Sequence, residues 1–174
     1  MNAYALFDTA IGSCGIVWNA RGISGFLLPE SSSSATRSRL LARFKGVAES
    51  EPPPDVRRTI DAVVALLNGE RGERTDLAFV SVDMDGLPEF HQRVYEVART
   101  IPPGTTMTYG EIASRLGDPG SARAVGQALG KNPIPVIVPC HRVLAAGGRN
   151  GGFSAPGGTA TKLNLLAIEG AQLF

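Results

Sequence analysis

Residues 108–130 read TYGEIASRLGDPGSARAVGQALG, and this stretch decides how the second half of the chain is built. Thr108 followed three residues later by Glu111 has the spacing of a capping box, and Ile112, Ala113 and Leu116 then recur at helical spacing. Gly117-Asp118-Pro119-Gly120 supplies the residue types of a tight turn. Ser121 stands where it would cap a second helix running through Leu129 and ended by Gly130. Two short helices across a tight turn fit a helix-turn-helix, and they fit a plain helical hairpin as well; spacing alone leaves both open.

Upstream of this pair, Phe90, Val94, Val97, Ala98 and Ile101 recur at helical spacing until Pro102 and Pro103 stop them. The texture changes at Asp83–Pro88. Before that point the chain reads as short strands first, over residues 3–8, 15–18 and 23–28, separated by Gly, Asn and Ser turns. Two helices are expected next. One carries Leu40, Leu41, Phe44 and Val47 after a Ser31–Ser34 loop and cap; the other carries Val56, Ile60, Val63 and Leu67, entered through Pro52–Pro54 with Asp55 as cap. Residues 77–82 read as a further strand. This half is a small α/β scaffold whose residues declare no chemistry.

Downstream, Ile134–Val138 is an apolar, β-branched run that predicts a buried strand broken only by Pro135. It leads into Pro139-Cys140-His141-Arg142. A lone cysteine beside a strand is most often a small buried hydrophobe. A cysteine next to an imidazole and a guanidinium nevertheless has a route to a stabilised, nucleophilic thiolate, so both readings stay open here. Residues 147–158 hold six glycines in twelve, which suits a connector or a wall offering backbone groups to a ligand. The last helix, over residues 161–168, is expected to pack Leu163, Leu166 and Ala167 and to stop at Gly170. Glu169 stands at its C-terminal end, where a carboxylate opposes the helix dipole by roughly 0.3–1 kcal/mol. It is either a solvated surface residue or a group kept there to orient a histidine.

The bulk numbers narrow the class. At 174 residues, 43% hydrophobic and 19% charged, the chain suits one ordinary domain or two small ones. No run approaches the roughly 18 apolar residues of a membrane span, and residues 1–7 do not look like a secretory signal, so a cytoplasmic protein is expected. Two cysteines, Cys14 and Cys140, make no disulfide framework, and with His91 and His141 they show no paired zinc spacing. Residues 1–84 carry nine basic and ten acidic side chains, residues 85–174 eight and six. Nucleic-acid binding, if present, is expected to be modest and local.

Residues 132–143, NPIPVIVPCHRV, resemble the active-site signature of the methylated-DNA–protein-cysteine methyltransferases, the O6-alkylguanine-DNA alkyltransferases. The resemblance runs from Pro88 to Gly170 and includes Thr108-Tyr109-Gly110, Ala122-Arg123-Ala124-Val125-Gly126 and Glu169-Gly170; before Asp83 it is faint. It implies an α+β fold: a ribonuclease-H-like α/β domain over residues 1–84 and a mostly helical, winged-helix-like domain over residues 85–174. It implies direct, irreversible transfer of the alkyl group of O6-alkylguanine in double-stranded DNA to Cys140, by a monomer that flips the base. No cofactor is expected, and no metal, since the zinc-ligand set that some members carry in the N-terminal domain is not found here. His141 would deprotonate Cys140 through a water, Glu169 would orient His141, Asn132 would support the active-site turn, and Tyr109 would hydrogen-bond the base. Val143, Phe153, Ser154 and Lys162 would line the base pocket. Arg123 would fill the vacated stack, while Ala122, Ala124 and Gly126 would let their helix approach a minor groove. Phe153 stands where many members carry tyrosine, the glycine-rich loop is longer by about two residues, and Cys14 is expected to be structural. Two rivals remain: a lesion-binding module, whose known examples in this lineage replace the cysteine, and a cysteine hydrolase, which would need an oxyanion hole.

Overall fold

The computed structural model describes residues 2–148 and 157–171. The chain divides into two compact units, Met1–Asp83 with Pro133–Ile137, and Met84–Asn132 with Val138–Phe174. It is a mixed α+β protein with six α-helices among the described residues.

The first unit is built on an antiparallel meander of β1 (Ala3–Thr9), β2 (Gly12–Asn19) and β3 (Gly22–Leu27). A two-residue strand β4 (Ala48–Glu49) joins β1 in parallel, giving the order β3-β2-β1-β4. Helix α1 (Ser33–Arg43) is capped by Ser32, whose side chain accepts from Ala35 N at 3.1 Å. Leu40 packs with Tyr4, Val17 and Leu27 in a buried cluster, flanked by Leu6, Phe44 and Val47. Glycines make the close packing possible: a Cβ on Gly15 would fall 2.6 Å from Leu40 Cδ1, and one on Gly25 would collide with the Phe44 ring. The expected stripe is corrected at two points. Leu41 is exposed, and the helix ends at Arg43, so Phe44 is its C-cap and Val47 lies beyond it. In α2 (Pro54–Leu67), Pro53 holds the N-cap position and Asp55 sits inside the first turn rather than capping it.

Two expected strands are not strands. Residues 77–80 form a turn closed by Val80 N donating to Leu77 O, and only Val82 bridges to Ile23 of β3, in parallel. Residues 134–138 are buried as expected but turn instead of extending. Val136 has φ +74°, a conformation costing a β-branched residue about 1–3 kcal/mol. Within the first unit Phe26 N donates to Pro133 O at 3.0 Å, tying this segment to β3.

The second unit holds α3 (Glu89–Ala98), α4 (Tyr109–Arg115), α5 (Ala122–Gly130) and α6 (Gly158–Ile168), with a short parallel pair β5 (Met107–Thr108) and β6 (Val143–Leu144). On α3, Val94 and Ala98 are buried with Ile101 beyond the helix, and Tyr95 joins them, its hydroxyl donating to Ala128 O at 2.6 Å. The Thr108–Glu111 capping box forms in both directions. Ser121 precedes α5 but caps nothing with its side chain, since its hydroxyl donates back to Asp118 O at the end of the turn. On α6 the buried face is Lys162, Leu165 and Leu166, whereas Leu163 and Ala167 are exposed, which corrects the expected stripe. No helix among the described residues is long and apolar enough to cross a membrane.

Candidate active site

The site is assembled inside the second unit from the end of α5, the turn before β6 and the last turn of α6. After Gly130 the chain leaves the helix, and the buried side chain of Asn132 donates from Nδ2 to Val138 O at 2.9 Å. That bond closes the five-residue excursion 133–137 between them, just ahead of Pro139 and Cys140. A single 3-10 turn, Cys140–Arg142, follows, with Cys140 N donating to Val138 O and Arg142 N to Pro139 O. The parallel pairing of Met107 with Val143 and Thr108 with Leu144 then brings the start of α4, and so Tyr109, alongside this turn.

The turn presents three consecutive functional side chains, all buried. Cys140 is 9% exposed. His141 is wholly buried, and its Nε2 lies 2.9 Å from Glu169 Oε2. With that carboxylate ionised, Nε2 carries the proton and donates, which leaves Nδ1 as a bare acceptor. Nδ1 has no hydrogen-bond partner among the described residues. Arg142 turns to Glu169 as well, donating from Nε to Oε1 at 2.9 Å and from Nη2 to Oε2 at 2.7 Å. Glu169 is the C-cap of α6, and the expected dipole penalty there is outweighed by three charge-assisted hydrogen bonds. Two turns earlier on the same helix, Lys162 Nζ donates to Val143 O at 2.7 Å and lies 5.9 Å from the centroid of the Tyr109 ring.

Burial and these partners set the protonation states. Burial alone would raise the Glu169 carboxyl, but the hydrogen bonds from Arg142 and His141 hold it down at about 2. Burial pushes His141 below its ordinary value; Glu169 opposes this, while the charges of Arg142 and Lys162 add to it. Lys162 is lowered by burial to about 8, against a small pull upward from Cys140. The Cys140 thiol is raised by burial, partly offset by a hydrogen bond from Asn132 and the charge of Lys162. The resting site is therefore a neutral thiol, a neutral imidazole and an ionised carboxylate. Of the routes left open by the sequence, stabilisation of a Cys140 thiolate by the neighbouring guanidinium is not the one the geometry takes, since Arg142 is held by Glu169. Such a site can move the thiol proton to an imidazole once a reaction partner lowers the cost of separating the charges.

The remaining candidates are spread along α5. Arg123 is exposed, and Ala122, Ala124 and Gly126 are half-buried. A Cβ on Gly126 would meet nothing nearer than Tyr109 Cε1 at 3.9 Å, so the protein interior does not require glycine there. Phe153 and Ser154 lie outside the described residues, as does the rest of 149–156. Among the described residues no three His, Cys, Asp or Glu side chains are grouped to hold a metal. Cys14 is fully buried in β2, its thiol pushed up to about 12 by burial. The sequence did not reveal that Arg142 clamps Glu169; the one available signal was a permanent cation set among residues expected to be buried.

Residues 89–171 match the family described as 6-O-methylguanine DNA methyltransferase, DNA binding domain. The methylated-DNA–protein-cysteine methyltransferase of Methanothermobacter thermautotrophicus is 33% identical over 159 residues, or 91% of this chain and 80% of the relative. That of Mycobacterium bovis is 42% identical over 134 residues, or 77% of this chain and 79% of the relative. Among solved structures, Mycobacterium tuberculosis OGT in complex with DNA matches with a TM-score of 0.77 at 34% identity, covering 97% of this chain and 92% of that one. The chain belongs to the methylated-DNA–protein-cysteine methyltransferase family of enzymes.

Proposed function

We propose that this protein repairs O6-alkylguanine, mainly O6-methylguanine, in double-stranded DNA by moving the alkyl group irreversibly onto Cys140. The observation that carries this reading is the burial of Cys140 and His141 in one 3-10 turn, with His141 Nε2 held 2.9 Å from Glu169 Oε2 at the end of α6. His141 Nδ1, an acceptor with no partner among the described residues, takes the thiol proton through a water. The thiolate then attacks the alkyl carbon, the S–C bond forms, and the C–O6 bond breaks with its electron pair leaving on guanine. Tyr109 hydrogen-bonds the base as this charge develops, and Lys162, Val143, Phe153 and Ser154 line its pocket. Asn132 holds the turn. The product is a thioether, which nothing in such a site can hydrolyse, so each chain reacts once.

A base inside a duplex cannot be reached by a buried thiol, so it must be flipped out. Arg123 is exposed on α5 and fills the gap in the stack, while Ala122, Ala124 and Gly126 let that helix approach the minor groove. The second unit is then a winged-helix-like DNA reader and the first a ribonuclease-H-like scaffold, acting together as a cytoplasmic monomer. The test is to incubate the protein with duplex DNA holding one O6-methylguanine and to weigh the intact chain and its peptides. A gain of one methyl group on the Cys140 peptide, saturating at one per chain and absent in Cys140→Ala, is expected. Tight binding without a mass change would point instead to a lesion-binding module.

A further inference from the structure

We propose that Arg142 is a positioning residue that offsets the charge of Glu169, so that His141 stays neutral and free to accept the thiol proton. This inference rests on the proton-relay reading above.

Glu169 is a shared carboxylate. Oε2 accepts from both His141 and Arg142, at 2.9 and 2.7 Å, and Oε1 accepts from Arg142 at 2.9 Å. The guanidinium thus grips both oxygens as a fork, an arrangement that fixes the plane of the carboxylate as well as its charge. Its remaining arm, Nη1, donates to Ile101 O at 2.7 Å, beyond the end of α3. Arg142 is 5% exposed and Glu169 4%, so solvent screens little of their interaction. A carboxylate left alone beside the imidazole would draw a proton onto it, giving a buried ion pair of imidazolium and carboxylate. An imidazolium has no lone pair to accept the proton of Cys140. With Arg142 in place the guanidinium and carboxylate cancel, and burial can hold His141 in its neutral form.

The groups facing His141 are Glu169 and Lys162 from α6 and Arg142 and Cys140 from its own turn. Lys162 acts in the same direction as Arg142. Only Arg142, however, also contacts the carboxylate, so its removal changes both the net charge and the aim of Glu169.

The test is an NMR titration of His141 in the DNA-free protein, together with the pH profile of methyl transfer. In Arg142→Met the His141 midpoint and the acid limb of the transfer rate should both rise by about one pH unit or more. Arg142→Lys keeps the charge without the fork. Its midpoint should stay near that of the wild type while transfer slows. Should Arg142→Met not fold, the same change made in a Glu169→Gln background, where no carboxylate is stranded, should still raise the midpoint above that of Glu169→Gln alone. Midpoints that move by less than about 0.3 in both backgrounds would overturn the proposal and leave Arg142 a packing residue. The wild-type methyl-transfer assay stands apart from this outcome. Its failure would remove the repair reading, whereas the His141 titration needs no DNA and reports on Arg142 alone.

Discussion

Lys162 shows how a single residue can oppose the fold that contains it. Its side chain is fully buried, its ammonium donates to the Val143 carbonyl, and burial lowers it from 10.5 to about 8. The folded-state value lies below the unfolded one, so folding disfavours the proton. The resulting penalty is complete below pH 8, shrinks as pH rises toward 10.5 and is gone above it. Lys162→Met keeps the length of the stem and removes the charge, at the cost of a stranded Val143 carbonyl. Urea unfolding should find the variant more stable at pH 7 by about 1–2 kcal/mol, with the advantage lost by pH 10.5. A destabilised variant at pH 7 would mean that the ammonium is better solvated than its burial indicates. Slower methyl transfer in the same variant would give the reason a destabilising lysine is kept.

At the scale of elements, α5 separates what the fold needs from what a ligand needs. Gly126 lies within the helix and a Cβ there meets only Tyr109 at 3.9 Å, an ordinary van der Waals distance. Gly126→Ala should therefore raise the unfolding free energy by about 0.5–1 kcal/mol through helix propensity alone. If α5 lies against a minor groove, the same methyl group should weaken binding to duplex DNA; unchanged binding in the stabilised variant would remove α5 from the interface. The legibility of the elements follows the same division. The α4 capping box was readable at Thr108 and Glu111 because both halves of that interaction are local in sequence. The face of α6 was misread because its buried stripe runs through Lys162, Leu165, Leu166 and Glu169. Two of those are charged residues facing the site, and an apolar-periodicity reading assigns such residues to solvent. The run at 134–138 was misread for a conformational reason. A turn with proline first and positive φ second normally announces itself by glycine, and here Val136 occupies that position. The sequence singled out Cys140, His141 and Glu169 as candidates, and the fold brings the last two into contact. Adjacency along the chain does not fix direction in space, and so could not say which way Arg142 faces.

For the whole molecule, the small net charge of +1 sets how it can meet a polyanion. Within the second unit Arg142 is consumed by Glu169 and Lys162 by the interior, so neither adds to a surface field. The exposed basic side chains described there are Arg93, Arg115, Arg123 and Lys131, and Arg93 already donates to Leu116 O at 3.0 Å. If Arg123 enters the base stack, Arg93, Arg115 and Lys131 are the exposed cations left for phosphates among the described residues. Each phosphate neutralised contributes about −0.9 to the slope of log K against log salt on duplex DNA, so the expected slope is about −2 to −3. Fluorescence anisotropy on a short duplex across a salt series measures it directly. Arg123→Ala should leave that slope nearly unchanged, since its partner is the stack and not a phosphate. It should nevertheless slow repair in duplex far more than reaction with the free O6-methylguanine base, which needs no flipping. A slope near −8 would require basic residues of the first unit at the DNA as well, and equal slowing on duplex and free base would take the stack-filling role away from Arg123.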